Sequence, residues 1–382
     1  MKSVNAPEKE IMLVVGEASG DVHGAHLVQA LLEREPHLRI YGVAGELLER
    51  TRFEVLFTVA KLTGMGLVEL VGNATDLWRA YRLLRRTLRE RKPSLLILID
   101  FPDFNLRLAR LAKGLRIPVL YYVSPQIWAW RQSRVRQISR WVDRMAVVFP
   151  FEVPFYEKHG VKVTFVGHPL LETVRVTHDR GVVLEKLGLD PAKTTVAMLP
   201  GSRRKEVSAH LPMMLEAAAR LASERDVQFI CIRASTVDQQ RLDSMLRESA
   251  LKVPVVEADR YSAMNAADLV WTASGTATLE TALLLKPMII VYRLSRLTYF
   301  LARLLVKVDH IGMVNLIAGE RIVPELVQDD FKPERIVEES RILLDDQNIR
   351  TRIIEKLAKL RERLGSPGAA GRVAEMALAM MS

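Results

Sequence analysis

A single cysteine, Cys231, stands in the 382-residue sequence, so no internal disulfide is available. Its setting in the apolar run VQFICIR reads as a buried filler rather than a nucleophile. No apolar run approaches the ~18 residues that span a bilayer. The segment IMLVV before Gly16 is too short for a signal-peptide core, and a reducing, cytoplasmic setting is expected. Two phosphate-binding fingerprints are also missing. Gly16, Gly20 and Gly24 of VVGEASGDVHGAHL do not fit G-x-G-x-x-G, and no G-x-x-x-x-G-K-[ST] occurs. Nor is there a metal-ligand set, because no histidine or further carboxylate joins the pair Asp100 and Asp103.

Positive charge is in excess: the formal net charge is +10, which points to a polyanionic partner without choosing among nucleic acid, anionic lipid and phosphorylated metabolite. Short β-rich runs alternate with longer helical patterns, the signature of parallel βαβ units. Strands are expected at 11–15, 40–45, 94–100, 119–124, 144–149 and 163–167. A second set is expected at 194–200, 227–233, 253–257, 268–273 and 287–292. Helices fill the intervals, for instance 22–34, 75–91, 205–223 and 275–285. The polar stretch 168–193 separates the two sets. The expected architecture is α/β, with two Rossmann-like doubly wound domains facing a cleft. The first spans 1–170 and the second 171–345, followed by a C-terminal helical segment, 346–382.

Four loops carry the chemistry. In DLVWTASGTATLETALLLKPMIIVY (268–292) a strand leaves through Ser274, Gly275 and Thr276 into a helix with Glu280 one turn inside. A helix N-terminus offers unpaired N–H groups and a positive dipole end to a phosphate, and Glu280 is placed to accept from ribose hydroxyls. An ordinary capped helix reads equally well here. The loop MLPGSRRKEV (198–207) repeats the arrangement with Gly201, Ser202, Arg203 and Arg204, and guanidinium groups there suit a leaving diphosphate. Two such loops favour a nucleoside-diphosphate site in the second half. In LLILIDFPDFN (95–105), Asp100 leaves a buried strand at its carboxyl end, where it can serve as a general base. Asp103 reads as the cap of the next helix, and Asp21 as a helix cap. Glu17 and Ser19 read as a polar cleft wall, with Glu17 and Asp103 the reserve catalytic carboxylates. His168 in GHPL reads as a turn residue rather than an acid.

Taken together, GEASGD, IDFPDFN, YVSPQIWAWR, GHPL, LPGSR, SGTATLE and NLIAG closely resemble the lipid-A-disaccharide synthases, a bacterial family of inverting glycosyltransferases. The match runs in order from Gly16 to about Val327. The resemblance implies a GT-B type fold and no cofactor or metal. It implies a UDP-2,3-diacylglucosamine donor, a 2,3-diacylglucosamine 1-phosphate acceptor, and a β-1,6-linked tetraacyl disaccharide 1-phosphate product with UDP. It also adds Asn315 to the UDP-binding set. The family's LPN is MVN here, Met313-Val314-Asn315, so the asparagine persists while the proline does not.

Acylated substrates imply a peripheral site on the inner face of the cytoplasmic membrane. The stretch 63–92 suits an anionic surface, with apolar Met65, Leu67, Val68 and Trp78 ahead of Arg79, Arg82, Arg85, Arg86 and Arg89. The basic, aromatic segment 292–307 has a similar make-up. A UDP-sugar 2-epimerase of similar fold would share the nucleotide loops but need no lipid-facing surface. A basic nucleic-acid-binding protein would use the same arginines on phosphates, but strand-end loops in both halves argue against pure binding, and no nucleic-acid partner is expected. Oligomeric state stays open, a homodimer included.

Overall fold

The computed structural model describes residues 9–16, 18–59, 70–125, 127–130, 132–249, 251–295, 299 and 310–381. The chain divides into two units, one of Met1–Pro169 with Leu364–Ser382 and the other of Leu170–Arg363.

The first unit is built on β1 (Glu10–Val15), β2 (Arg39–Ala44), β3 (Glu54–Thr58), β4 (Leu95–Ile99), β5 (Val119–Tyr122), β6 (Arg144–Val147) and β7 (Val163–Phe165). They form a parallel sheet in the order β3-β2-β1-β4-β5-β6-β7. Every residue of β4 is buried, as expected of a central strand covered on both faces. The edge strand β3 escapes the sequence reading because EVLFT is half exposed and lacks a continuous apolar run.

The second unit holds β8 (Thr194–Leu199), β9 (Val227–Ile232), β10 (Val255–Val256), β11 (Leu269–Ala273), β12 (Met288–Tyr292) and β13 (Glu325–Val327). Its order is β10-β9-β8-β11-β12-β13, again parallel. The run 253–257 shortens to the two residues of β10, since Pro254 has no N–H for a ladder and supplies only a carbonyl, to Cys231. Cys231 itself is fully buried, and burial pushes its thiol up to about 12, so no thiolate forms near neutrality.

The order of each sheet reverses once, between β1 and β4 in the first unit and between β8 and β11 in the second. Ligands of open α/β sheets bind outside the carboxyl ends of the strands at such a reversal. Gly16 and Asp100 follow the two strands at the first reversal, and Gly201 and Ser274 lie just beyond those at the second.

The C-terminal helices do not form the separate segment expected from 346–382. Helix Gln347–Arg363 buries Ile353, Leu357 and Leu360, one helical stripe, and belongs to the second unit. Helix Ala369–Met380 buries Ala369, Ala370, Val373, Ala374 and Ala377 and packs on helix Ala18–Arg34 of the first unit, its small side chains permitting close approach. Arg372 fastens it, donating from Nε to the Val166 carbonyl at 2.9 Å and from Nη1 to that of Pro367 at 3.0 Å. The linkage between the two helices is thus where the chain changes unit, which helical periodicity on either side does not reveal.

Candidate active site

At the reversal of the first sheet, the chain leaves β4 through two consecutive left-handed residues, Asp100 at φ 51° and Phe101 at φ 49°. Such a conformation costs a non-glycine residue about 1–3 kcal/mol and persists only where its surroundings hold it. The Asp100 carbonyl accepts from the Tyr121 hydroxyl and from Asn105 Nδ2, the latter at 2.7 Å. Asn105 is fully buried and also donates to the Ile99 carbonyl at 3.2 Å. A Cβ at position 16 would fall 2.1 Å from the Cβ of Phe101, so only glycine lets the end of β1 pass this turn. Phe101 stacks on Phe104 at 5.5 Å. The half-exposed Asp100 therefore sits on a fixed turn at the strand ends.

The other acidic candidates separate. Asp103 has a side chain 66% exposed and pairs with Arg134. Glu17 lies outside the described residues. Asp21 is a cap, but of a distant helix: its carboxylate accepts from the N–H groups of Gly45 and Leu47, both at 2.8 Å, at the start of helix Glu46–Glu49. His168 is buried, and burial together with nearby His23 lowers its pKa to about 3, so it stays neutral and brings no imidazolium proton. Of the residues expected to meet a membrane, Met65, Leu67 and Val68 lie outside the described residues. Helix Leu70–Arg91 exposes Trp78 at 57%, with the Arg82 guanidinium 4.4 Å from its ring centre and Arg79, Arg85 and Arg86 exposed beside it. No helix of the described residues is long and apolar enough to cross a membrane.

In the second unit the two small-residue loops differ. After β8, Gly201 takes φ 127°, and a Cβ there would lie 2.8 Å from Glu206 Oε2. That oxygen accepts from the N–H groups of Ser202 at 3.1 Å and Arg203 at 3.2 Å, so the first turn of helix Arg204–Glu224 caps itself. The Arg203 side chain is 69% exposed. After β11, helix Thr276–Leu283 has no side-chain cap, and the space about Gly275 is open, so a ligand backbone contact meets no obstruction. Ser274 donates from Oγ to the Ile311 carbonyl at 2.9 Å, and Thr276 is exposed.

Glu280 is only 5% exposed, and Oε1 pairs with the Arg260 guanidinium and accepts from the Tyr261 hydroxyl at 3.1 Å. Burial raises its pKa, and Arg260 opposes the rise. The sequence reading aimed this carboxylate at a ribose and missed Arg260 as its partner. Asn315 is a plainer correction. Its Nδ2 donates to the Val323 carbonyl at 2.9 Å and Glu325 Oε1 at 2.8 Å, while Oδ1 accepts from Ile322 at 2.8 Å and Val323 at 3.1 Å. Two donors and two lone pairs complete the amide's capacity, so Asn315 shapes its loop and its side chain has none left for a nucleotide. Glu325 extends the brace, taking the N–H of Ile311 and of Gly312, both at 3.0 Å.

His210 also went unread. Fully buried, it holds the Pro200 carbonyl at 2.9 Å through Nδ1 and accepts the Arg293 N–H at 3.1 Å through Nε2. It thereby ties the exit of β8 to that of β12, and burial lowers its pKa. The signal was faint: one histidine at core spacing in a long helix, with no motif around it.

A cavity of about 380 Å³ opens at the amino ends of β8 and β11, lined by Arg180, Arg225, Asp226, Asp268, Asp345 and Arg350 among others. Its charges are already paired, Arg180 with Asp268 at 3.0 Å and Arg225 with Asp345 at 2.6 Å, and it lies away from the strand ends where ligands collect.

Two parallel doubly wound sheets, each with glycine-bearing loops at its reversal, define a two-unit α/β protein. Solved structures share this fold. A glycosyltransferase of kitacinnamycin matches with a TM-score of 0.65 at 15% identity, covering 99% of this chain and 100% of that one. A UDP-GlcNAc 2-epimerase from Neisseria meningitidis, bound to UDP-GlcNAc, gives 0.64 at 13%, covering 97% and 100%. Sequence decides between these neighbours. The family model described as lipid-A-disaccharide synthetase matches residues 11–375. Lipid-A-disaccharide synthase of Geobacter metallireducens is 45% identical over 98% of each chain, and that of Syntrophus aciditrophicus 46% over 98% of each. The chain belongs to the lipid-A-disaccharide synthase family and is a glycosyltransferase.

Proposed function

We propose that the enzyme transfers an acylated glucosamine from UDP-2,3-diacylglucosamine to the 6-hydroxyl of 2,3-diacylglucosamine 1-phosphate. The products are the β-1,6-linked tetraacyl disaccharide 1-phosphate and UDP. The observation that carries the reading is near-complete, ~45% identity to synthases of this name, joined to a carboxylate at one sheet's reversal and small-residue loops at the other's. Asp100 takes the hydroxyl proton as the oxygen attacks the anomeric carbon. The bond from that carbon to the diphosphate oxygen breaks with inversion, and UDP leaves with the electron pair. The uncapped helix at Gly275 and the Gly201-Ser202-Arg203 loop receive the charge that develops on the diphosphate. Held by Arg260, Glu280 is a fixed acceptor edge toward the ribose.

Both substrates carry acyl chains, so the enzyme works at the inner face of the cytoplasmic membrane. The exposed Trp78 and the arginines around it support a peripheral dock there. The deciding assay is UDP release from the acylated donor with and without the lipid acceptor. Release that requires the acceptor supports transfer. Release or epimerisation of the donor without it overturns the reading in favour of an isomerase.

A further inference from the structure

The cavity of about 380 Å³ at the amino ends of β8 and β11 lies outside the chemistry above, and its ion pairs are shared unevenly. Asp268, the residue before β11, serves two arginines at once. Its Oδ2 accepts the Thr195 N–H at 2.9 Å and pairs with Arg180 at 3.0 Å. Arg350 stands 3.8 Å from Oδ1, too far for a hydrogen bond. Arg180 is satisfied elsewhere, because its guanidinium donates to the carbonyls of Pro191 at 3.2 Å, Lys193 at 2.8 Å and Ala266. Arg350 is not. Its side chain is only 26% exposed, yet its guanidinium has no hydrogen-bond acceptor among the described residues. The other two carboxylates of the lining, Asp226 and Asp345, are more exposed and are taken by Lys193 at 2.8 Å and Arg225 at 2.6 Å.

A third cation comes to the same carboxylate. Helix Thr276–Leu283 runs out into Leu285 at φ 56°, a left-handed position where glycine is usual and a side chain is strained. The Leu285 N–H on the Ala282 carbonyl at 2.9 Å and the Lys286 N–H on that of Thr281 at 3.2 Å hold the turn. Met288 of β12 pairs with Val270 of β11, and the same register carried back two residues sets Lys286 opposite Asp268. Lys286 is half-buried, with no side-chain hydrogen bond or ion pair among the described residues. Burial lowers its pKa, Asp268 opposes the fall, and the charges of Arg180 and Arg350 add to it. Arg180, Lys286 and Arg350 thus bring three positive charges to one negative. Half-buried cations with unspent donors beside a cavity attract an anion that brings its own acceptors. A guanidinium fork next to an ammonium suits the oxygens of a phosphate, and the two surplus charges match a dianion.

We propose that Lys286 and Arg350 form a binding site for a phosphate dianion, at the amino ends of the strands and separate from the proposed nucleotide loops at their carboxyl ends. Inorganic phosphate and a small phosphate monoester share this chemistry. Calorimetry on the full chain, at fixed ionic strength and with UDP saturating, measures inorganic phosphate and glucosamine 1-phosphate in separate titrations. Affinity should fall about tenfold in Lys286→Met and in Arg350→Gln, the loss of one charge-assisted contact, while UDP affinity holds. The probe that loses affinity in the variants identifies the source, free phosphate or sugar phosphate. In chloride buffer Lys286→Met should raise the urea midpoint, since it removes a half-buried charge that two arginines repel. Added phosphate should then close the gap by stabilising wild type alone. Affinity for both probes unchanged in both variants, displacement of phosphate by UDP, or a Lys286→Met chain less stable than wild type in chloride overturns the site.

Discussion

Glu206 lies on the loop amides read as open to a diphosphate: its Oε2 accepts from Ser202 N–H at 3.1 Å and from Arg203 N–H at 3.2 Å. A diphosphate arriving at Gly201 must displace this carboxylate or settle beside its charge. Glu206→Ala should therefore lower stability by about 1 kcal/mol, the usual value of a lost cap, and yet tighten UDP binding several-fold. Urea unfolding and calorimetry measure the two effects. Weaker UDP binding would mean that Glu206 arranges the loop for the ligand instead of competing with it.

Asp100→Asn preserves shape and removes basicity, so turnover should drop by about 10²–10⁴ while UDP affinity holds. Gly16→Ala provides a test of the turn itself. The methyl group would overlap Phe101, with a Cβ separation of 2.1 Å, and overpacking of this kind costs roughly 1–3 kcal/mol. Stability and turnover should both fall, again without loss of UDP affinity, which the proposed reaction assigns to the other unit. An Asp100→Asn enzyme that keeps most of its rate would move the base to Asp103 or Glu17.

Buried histidines make the first unit sensitive to acid. Burial lowers His23 to about 4 and His168 to about 3, so both are neutral when folded and protonate near 6.5 when unfolded. The unfolded chain then binds the extra protons, and stability falls as pH drops from about 6.5 toward 4. Glu152 works the other way, since its raised folded value removes stability as pH climbs from about 4.5 to 7. Two histidines outweigh one glutamate, so their net effect is loss in acid. Urea midpoints from pH 7 to 4.5 should fall less steeply in His168→Asn than in wild type. Equal slopes would show that His168 is not held neutral.

Docking by Trp78 and its arginines should be electrostatic at long range and apolar at contact. Binding to vesicles of anionic lipid should weaken as salt rises, because screening acts within about 8 Å at physiological ionic strength, and neutral vesicles should bind little. Trp78→Ser together with Arg82→Ala should reduce vesicle binding and lipid turnover while sparing UDP affinity. Identical sedimentation of variant and wild type with both vesicle types would remove helix Leu70–Arg91 from the dock.

By itself the sequence determined the class of fold and the family. Continuous apolar runs such as LLILI at 95–99 admit little but buried parallel strands, and the residues just past a strand are local facts, so Asp100, Gly201 and Ser274 were legible. The edge strands β3 and β13 were not, because half-exposed EVLFT and the three residues of β13 carry no such run. Tertiary structure alone decided which groups satisfy one another. Arg260 reaches Glu280 across twenty positions, Glu325 joins Asn315 across ten, and Asp21 caps a helix more than twenty residues on. It also sent the last helix back to the first unit. Each of these pairings arises because burial removes water as a partner and leaves every polar group to whichever neighbour the packed elements bring near. Periodicity and motif describe a residue's own stretch of chain, and that neighbour is almost always on another.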